Sequence, residues 1–335
     1  MSMETDLETP WVEKYRPRTF DEIVSQSVAV NNLKQFVESG SMPHMIFTGP
    51  AGTGKTSTAL IIANHLLKGE DFYRNVLELN ASDTVRMNFV RTVLKDFTQQ
   101  SMLPEDQTIK IVLLDEADNI PNQVQQALRR IIETTSTRVK FILMCNYVDR
   151  IIDPIISRCA VFRFVNLSKE KIIERLHYIA KQEQLAIPKA QERAFFETLF
   201  FISGGDLRKA INTLQMAVAL ELLDEKDFNI DEILKISGFV DRNTLSELQK
   251  AIQSGDLQGV ISIIDTIEYL DCRNFLRQIM REIKKLNLNP LQLNELYTLI
   301  GDIDYRVSQG ADERIQIIAL LADMINKVKS KEEAV

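Results

Sequence analysis

Residues 45–56 read Met45-Ile-Phe-Thr-Gly49-Pro-Ala-Gly52-Thr-Gly54-Lys55-Thr56, an apolar run of strand length that empties into a G-x-x-x-x-G-K-[ST] loop. The pattern TSTALIIANHLLKG follows at once and is helical. In that setting the glycines let backbone N–H groups wrap the β-phosphate of a nucleotide, and the helix N-terminus adds a favourable dipole. Lys55 then reaches the β and γ oxygens, and the Thr56 hydroxyl is placed to ligate Mg²⁺. Gly49, Gly52, Thr53, Gly54, Lys55 and Thr56 are the candidate nucleotide-binding residues. A glycine-rich turn with no ligand is the competing reading, and the strand before and helix after weigh against it.

Working outward, apolar runs alternate with helical patterns as far as about Phe164, the signature of βα units around a mostly parallel sheet. The strands are read at Met45–Gly49, Val76–Ala81, Ile109–Asp118, Val139–Asn146 and Ala160–Val165. Four of these runs suit strands buried on both faces. Helices fit between them at TSTALIIANHLLKG, DTVRMNFVRTVLKDFTQQ and NQVQQALRRIIETTS, the last opened by Pro121-Asn122.

The third run delivers Asp115 and Glu116 to the C-terminal end of a buried strand, which in a P-loop fold lies beside the phosphates. Asp115 can hold Mg²⁺ through water, and Glu116 can orient or deprotonate an attacking water. The second acid favours ATP over GTP hydrolysis. Asn80 and Asn146 end two neighbouring strands; an amide donates and accepts at once, so either can position the lytic water or restrain Glu116. Taken singly, each is an ordinary turn residue. Arg16, Arg158 and Arg208 read alone as solvated charges, yet a phosphoryl transition state spreads charge that guanidinium groups commonly meet.

Beyond Leu167 the strand signals stop. Helical patterns at SKEKIIERLHYIAKQEQL, QERAFFETLFFISGG and DLRKAINTLQMAVAL suggest a small helical domain. Asp241 to Lys331 also reads as helical, with breaks at Ser254-Gly255-Asp256, at Asn287 to Pro290 and at Gly301. The division is thus 1–165, 166–239 and 240–335. The chain of 335 residues is 45% hydrophobic and 26% charged, which excludes disordered and fibrous classes. It holds no apolar run of spanning length, and its acidic start lacks a signal-type core, so an intracellular protein is expected. Three cysteines and three histidines show no disulfide or metal spacing.

Several of these motifs, in order, resemble the small subunits of replication factor C, the AAA+ sliding-clamp loader of archaea and eukaryotes. They are PWVEKYRP (Pro10–Pro17), the glycine loop, LELNASD (Leu77–Asp83), LLDEAD (Leu113–Asp118), QQALRR (Gln125–Arg130), Cys145-Asn146, IISRC (Ile155–Cys159) and GDLRKAIN (Gly205–Asn212). The resemblance spans about Pro10 to Met216. It implies an α/β P-loop AAA+ domain, a helical lid and an all-helical oligomerising collar. It implies that Val12, Arg16 and Val24 line the adenine and phosphate side of the pocket. It implies that Asn146 is sensor 1, that Arg208 is sensor 2 acting in cis, and that Arg158 is an arginine finger on ATP of the next subunit. Asn80 matches the residue that restrains the catalytic glutamate until DNA arrives.

The implied partners are other clamp-loader subunits, a PCNA-type sliding clamp and primer-template DNA. The implied cofactors are ATP and Mg²⁺, and the implied location is the cytoplasm in archaea or the nucleus in eukaryotes. A net charge of −7 speaks against a wholly basic DNA-binding domain. Two windows are locally positive: Arg86, Arg91 and Lys95 against Asp96, a net of +2, and Arg129, Arg130, Arg138, Lys140 and Arg150 against Glu133 and Asp149, a net of +3. Ser82, Arg86, Arg91, Arg130 and Lys140 are the candidate DNA contacts, reading backbone and shape. Leu94, Phe97, Met102 and Leu103 form an apolar edge that the family uses against the clamp, although core packing is the expected fate of at least some of them. Two departures from the family pattern stand out: Ala51 replaces the usual proline, and Arg86 is displaced by one residue with no glycine after it. Other readings of the same residues are a ring subunit that binds ATP structurally, an AAA+ DNA remodeller or helicase loader, and a phosphotransferase.

Overall fold

A computed structural model describes residues 9–40, 42–81, 90–99, 109–223, 228–283 and 288–332. The chain divides into two compact units: residues 1–185 with 199–214, and residues 186–198 with 215–335.

The first unit is built on a five-stranded parallel sheet of β1 (His44–Thr48), β2 (Val76–Asn80), β3 (Lys110–Asp115), β4 (Val139–Cys145) and β5 (Cys159–Arg163). Its order is β2-β3-β4-β1-β5. Strand β1 is buried at every position, and β3 and β4 at all but one. The expectation of four doubly buried strands is corrected to three, because β2 and β5 form the sheet edges and each has only one buried residue. Exposed Glu78 in the middle of β2 marks that edge.

Alternation along the strands gives each face its own core. On one face Met45, Phe47, Ile111 and Ile142 pack with Leu33 of the helix Ser27–Glu38 and Ile62 of the helix Lys55–Leu66. Phe47 meets Phe162 edge-on at 5.7 Å between ring centroids. On the other face Ile46, Val112, Phe141 and Leu143 pack with Val124, Leu128 and Ile132, the buried stripe of the helix Asn122–Thr135. Pro121 sits at that helix's N-cap, where a missing N–H costs nothing. Leu94 is fully buried in this second core, and Phe97 packs against it, so these two belong to the interior rather than to a clamp-facing edge. Met102 and Leu103 lie outside the described residues.

After β5 the helix Lys169–Gln182 starts where the Ser168 hydroxyl accepts the Lys171 N–H. It buries Ile172, Leu176 and Ile179. The helix Leu207–Ala219 follows a double-glycine turn and begins in the first unit.

The second unit is helical throughout its described residues. Asp241, Asp256, Asp271 and Asn289 each cap a helix with a side-chain oxygen, and Asn289 with Gln292 completes a capping box. Its core joins Leu248, Ile264, Phe275, Leu296 and Leu320. Buried Gln278 closes both polar groups of Val240, donating to its carbonyl at 2.6 Å and accepting its N–H at 2.9 Å. The break expected at Gly301 is corrected: the helix runs Pro290–Ser308 straight through it, since one glycine costs a helix only about 1 kcal/mol. No described helix is long and apolar enough to cross a membrane.

Candidate functional site

The C-terminal edge of β1, β3 and β4 carries the chemistry. β1 ends in the glycine loop, whose Gly49, Gly52 and Gly54 all have positive φ. Two of them also have no room for a side chain. A Cβ on Gly49 would stand 2.1 Å from the Phe164 carbonyl oxygen, and one on Gly52 would stand 1.7 Å from Asp206 Oδ1. The helix Lys55–Leu66 leaves this loop with its N-terminus free for a phosphate.

Lys55 is buried, and its Nζ donates to the carbonyls of Gly49 at 2.6 Å and Pro50 at 2.8 Å and to Asn146 Oδ1 at 3.1 Å. Burial pulls its pKa down, and the charge of Asp115 is the largest opposing influence. Asp115, the last residue of β3, accepts the Thr56 hydroxyl on Oδ2 at 2.7 Å and the Glu116 N–H on Oδ1 at 2.8 Å. Thr56 and Asp115 thus present two hard oxygen donors side by side, a set that suits Mg²⁺, which completes its shell with phosphate oxygens and water. Glu116 follows in the left-handed region at φ 52°. Its Oε2 accepts Asn119 Nδ2 at 3.2 Å.

Residues from four further segments complete one pocket with Thr53, Lys55, Thr56, Asp115 and Glu116. Val12, Arg16 and Val24 line it from the N-terminal segment, Asn146 from the end of β4, and Arg208 from the helix Leu207–Ala219. Ile23, Leu207 and Ile211 add an apolar wall, and Arg175 contributes a cation. The N-terminal segment is fastened in place. The Tyr15 carbonyl accepts Arg175 at 2.8 Å, and its hydroxyl donates to Glu183 at 2.5 Å. Burial, then the Glu183 bond, pushes the Tyr15 hydroxyl pKa up. The Gln26 amide pairs with both the N–H and the carbonyl of Val165.

Two of the expected catalytic residues stand apart from the pocket lining. Asn80 ends β2 in register with Asp115. Arg158 precedes β5 and is held by Glu133 at 2.7 Å and by the Pro154 carbonyl at 2.7 Å. Glu133 also accepts Arg129, which keeps its carboxyl pKa low. Burial pushes the neighbouring Cys159 thiol up to about 12, which disfavours its thiolate. Of the DNA candidates, Arg130 is exposed on the helix Asn122–Thr135, whereas Lys140 spends its ammonium on the Ser136 carbonyl at 2.8 Å. Arg91 falls in the π-helical turn Val90–Leu94, with its side chain not described, and Ser82 and Arg86 lie outside the described residues.

Sequence reasoning passed over four residues. Gln125, 1% exposed, donates to the carbonyls of Ile120 and Arg150 and accepts the N–H of Ile152. It thereby ties the segment after Glu116 to the loop that leads to Arg158. Asp206 caps the helix of Arg208 by accepting the Lys209 N–H, and it abuts Gly52. Arg175 and Asp118 complete the set. The signal available for Gln125 was an amide on the apolar stripe of an amphipathic helix, and for Asp206 an Asp one residue before a helical pattern.

Comparison with known proteins agrees with this geometry. The profile of the AAA family, ATPases associated with various cellular activities, matches residues 45–167, and that of the replication factor C C-terminal domain matches residues 240–323. Replication factor C small subunit 1 of Pyrobaculum islandicum is 41% identical over 94% of this chain and 93% of its own length. The small subunit of Aeropyrum pernix is 43% identical over 96% and 97%. Among solved structures, the Thermotoga maritima RuvB Holliday junction branch migration motor superposes with a TM-score of 0.53 at 18% identity, covering 76% of this chain and 88% of that one. That likeness speaks to the AAA+ fold alone. With a pocket that unites the glycine loop, the acidic strand end, a strand-end asparagine and Arg208, and with relatives this similar over nearly full length, the chain belongs to the replication factor C small-subunit family.

Proposed function

We propose a division of labour for this clamp-loader ATPase of DNA replication, in which its nucleotide site drives the opening and loading of a PCNA-type sliding clamp onto primer-template DNA. The convergence of Lys55, Thr56, Asp115, Glu116, Asn146 and Arg208 on one pocket is the observation that carries it. The apolar wall of Val12, Ile23, Val24 and Ile211 receives the adenine, with Arg16 beside it. Gly49, Gly52, Thr53 and Gly54 shape the phosphate cradle, and Lys55 exchanges its carbonyl partners for phosphate oxygens. Thr56 and Asp115 hold Mg²⁺, which when bound neutralises charge on the phosphates. Glu116 takes the proton of the attacking water, and Asn146 orients that water against the γ-phosphate. Arg208 contacts the γ-phosphate in cis.

Arg158 leaves Glu133 to reach ATP on the adjacent subunit, so hydrolysis belongs to the assembly. Asn80 restrains Glu116 until DNA contacts relayed through Ser82, Arg86, Arg91, Arg130 and Lys140 release it. Residues 1–165 form the ATPase domain, 166–239 the lid and 240–335 the collar through which subunits assemble. Lys55→Ala should abolish ATP binding. Glu116→Gln should leave binding within about twofold yet cut single-turnover hydrolysis at least 100-fold, the scale of a lost general base. Wild-type hydrolysis by Glu116→Gln would remove Glu116 from the mechanism.

A further inference from the structure

Asp118 has no role in the site as described so far, yet its side chain holds the backbone of a pocket residue, Asn146. It lies in the short turn Ala117–Asn119, two residues beyond Glu116, and is 8% exposed. Its Oδ2 accepts two consecutive backbone N–H groups, those of Asn146 and Tyr147, each at 3.2 Å. Asn146 follows the last residue of β4, and its carbonyl accepts the Thr48 hydroxyl at 3.5 Å. The other end of the same residue, Oδ1 of the amide, meets Lys55 Nζ at 3.1 Å. A chain of contacts therefore runs from the segment of the catalytic glutamate, through Asp118, to Asn146 and on to the phosphate-binding lysine.

Packing alone does not account for this carboxylate. Its Oδ1 is buried and finds no donor, a costly state for an ionised group. A hydrophobic residue would fill the same space but leave the Asn146 and Tyr147 N–H groups without this acceptor. The charge does have effects that an apolar residue would lose. It strengthens both bonds to the Asn146 and Tyr147 amides, as charge-assisted bonds are roughly twice as strong as neutral ones. It also helps to keep Lys55 protonated against its burial.

We propose that Asp118 is a positioning residue for hydrolysis: by holding the backbone of residues 146 and 147, it aims the Asn146 amide at the γ-phosphate and sets it in register with Glu116. The inference rests on Asn146 acting as the sensor described above. Asn119, at the end of the same turn, bonds Glu116, so a single three-residue segment holds both the proton acceptor and the residue that orients the water.

The test uses the full chain reconstituted with its partner subunits, comparing wild type, Asp118→Ala, Asp118→Asn, Asn146→Ala and the Asp118→Ala/Asn146→Ala double variant. Binding is read with a fluorescent ATP analogue, and chemistry by single-turnover hydrolysis. Asp118→Ala should lower hydrolysis at least 20-fold with binding within about threefold. Asp118→Asn keeps an oxygen acceptor for both N–H groups and should recover to within about fivefold of wild type. The double variant should be no slower than Asn146→Ala alone, a non-additivity that a merely structural residue would not show. Should Asp118→Ala fail to fold, Asp118→Asn and hydrogen exchange of the Asn146 and Tyr147 amides decide: the proposal expects slow exchange in the wild type and a measurable loss of rate in the amide variant. Hydrolysis at the wild-type rate in folded Asp118→Ala, additive losses in the double variant, or, where Asp118→Ala does not fold, unprotected Asn146 and Tyr147 amides in the wild type would overturn the inference. If Asn146→Ala itself hydrolyses normally, the sensor assignment falls first and the inference with it.

Discussion

Replacing Gly52 by alanine should damage the pocket through the helix Leu207–Ala219, and the structure sets the size of the effect. Gly52 has φ +69°, so any L side chain pays about 1 kcal/mol of backbone strain. The new Cβ would also stand 1.7 Å from Asp206 Oδ1, and that carboxylate must retreat by about 1.5 Å to reach van der Waals distance. Such a retreat breaks its bond to the Lys209 N–H, an N-cap worth about 1 kcal/mol. The total is about 2 kcal/mol, and the second half of it falls on the helix that presents Arg208. Asp206→Ala alone removes the cap and should cost about 1 kcal/mol. The double variant Gly52→Ala/Asp206→Ala has no carboxylate left to displace, so it should cost about 2 kcal/mol rather than the additive 3. Urea unfolding measures these differences, and an ATP titration should show affinity falling in the same order. Strict additivity of the two substitutions would refute the contact between Asp206 and the glycine loop as the source of the effect.

Two further outcomes follow from buried groups. His44 accepts the Phe141 N–H on Nδ1, and burial, aided by Lys140, holds its pKa down to about 4. The unfolded chain, with a histidine near 6.5, binds the proton first as pH falls, so the neutral ring's contribution is complete above about pH 6.5 and is lost between 6.5 and 4. Wild-type stability should therefore drop by about 2 kcal/mol more than that of His44→Gln between pH 7.5 and pH 5, read by urea unfolding at the two values; equal slopes would contradict it. Gln125→Ala removes three hydrogen bonds to backbone groups of two loops and should destabilise the first unit by about 3 kcal/mol, whereas a loss under 0.5 kcal/mol in the same assay would show that water replaces them.

The parts of the site that were legible in the sequence are those held by local rules. A glycine loop between a strand and a helix, two acids at the end of an apolar run, and asparagines at strand ends are all fixed by residue type and spacing, and Lys55, Asp115, Glu116 and Asn146 do meet. The residues that hold these groups in place were not legible, since their partners are remote in sequence. Asp118 reaches across 28 and 29 residues to its two amides, and Gln26 across 139 to Val165. Edge position was likewise hidden: Val76–Asn80 is apolar enough to pass for a central strand, and only the crossover order puts it at the margin. Gly301 misled for the opposite reason, as tertiary packing of Leu296, Ile300 and Ile303 carries the helix through a weak residue. Core packing was the expected fate of at least some of Leu94, Phe97, Met102 and Leu103, and the second core shows which: Leu94 sits within it and Phe97 packs against it.

In the mechanism proposed above, hydrolysis needs an arginine supplied by a neighbouring subunit. ATP turnover by the complex of this chain with its partner subunits, clamp and primer-template DNA tests it most directly, with wild type and Arg158→Ala compared. The isolated chain should turn over slowly, and the wild-type complex should be stimulated at least tenfold. The Arg158→Ala complex should bind ATP normally and remain at the unstimulated rate, in keeping with the 10³-fold or greater effect such groups can have. Full DNA- and clamp-stimulated turnover by the Arg158→Ala complex would contradict it.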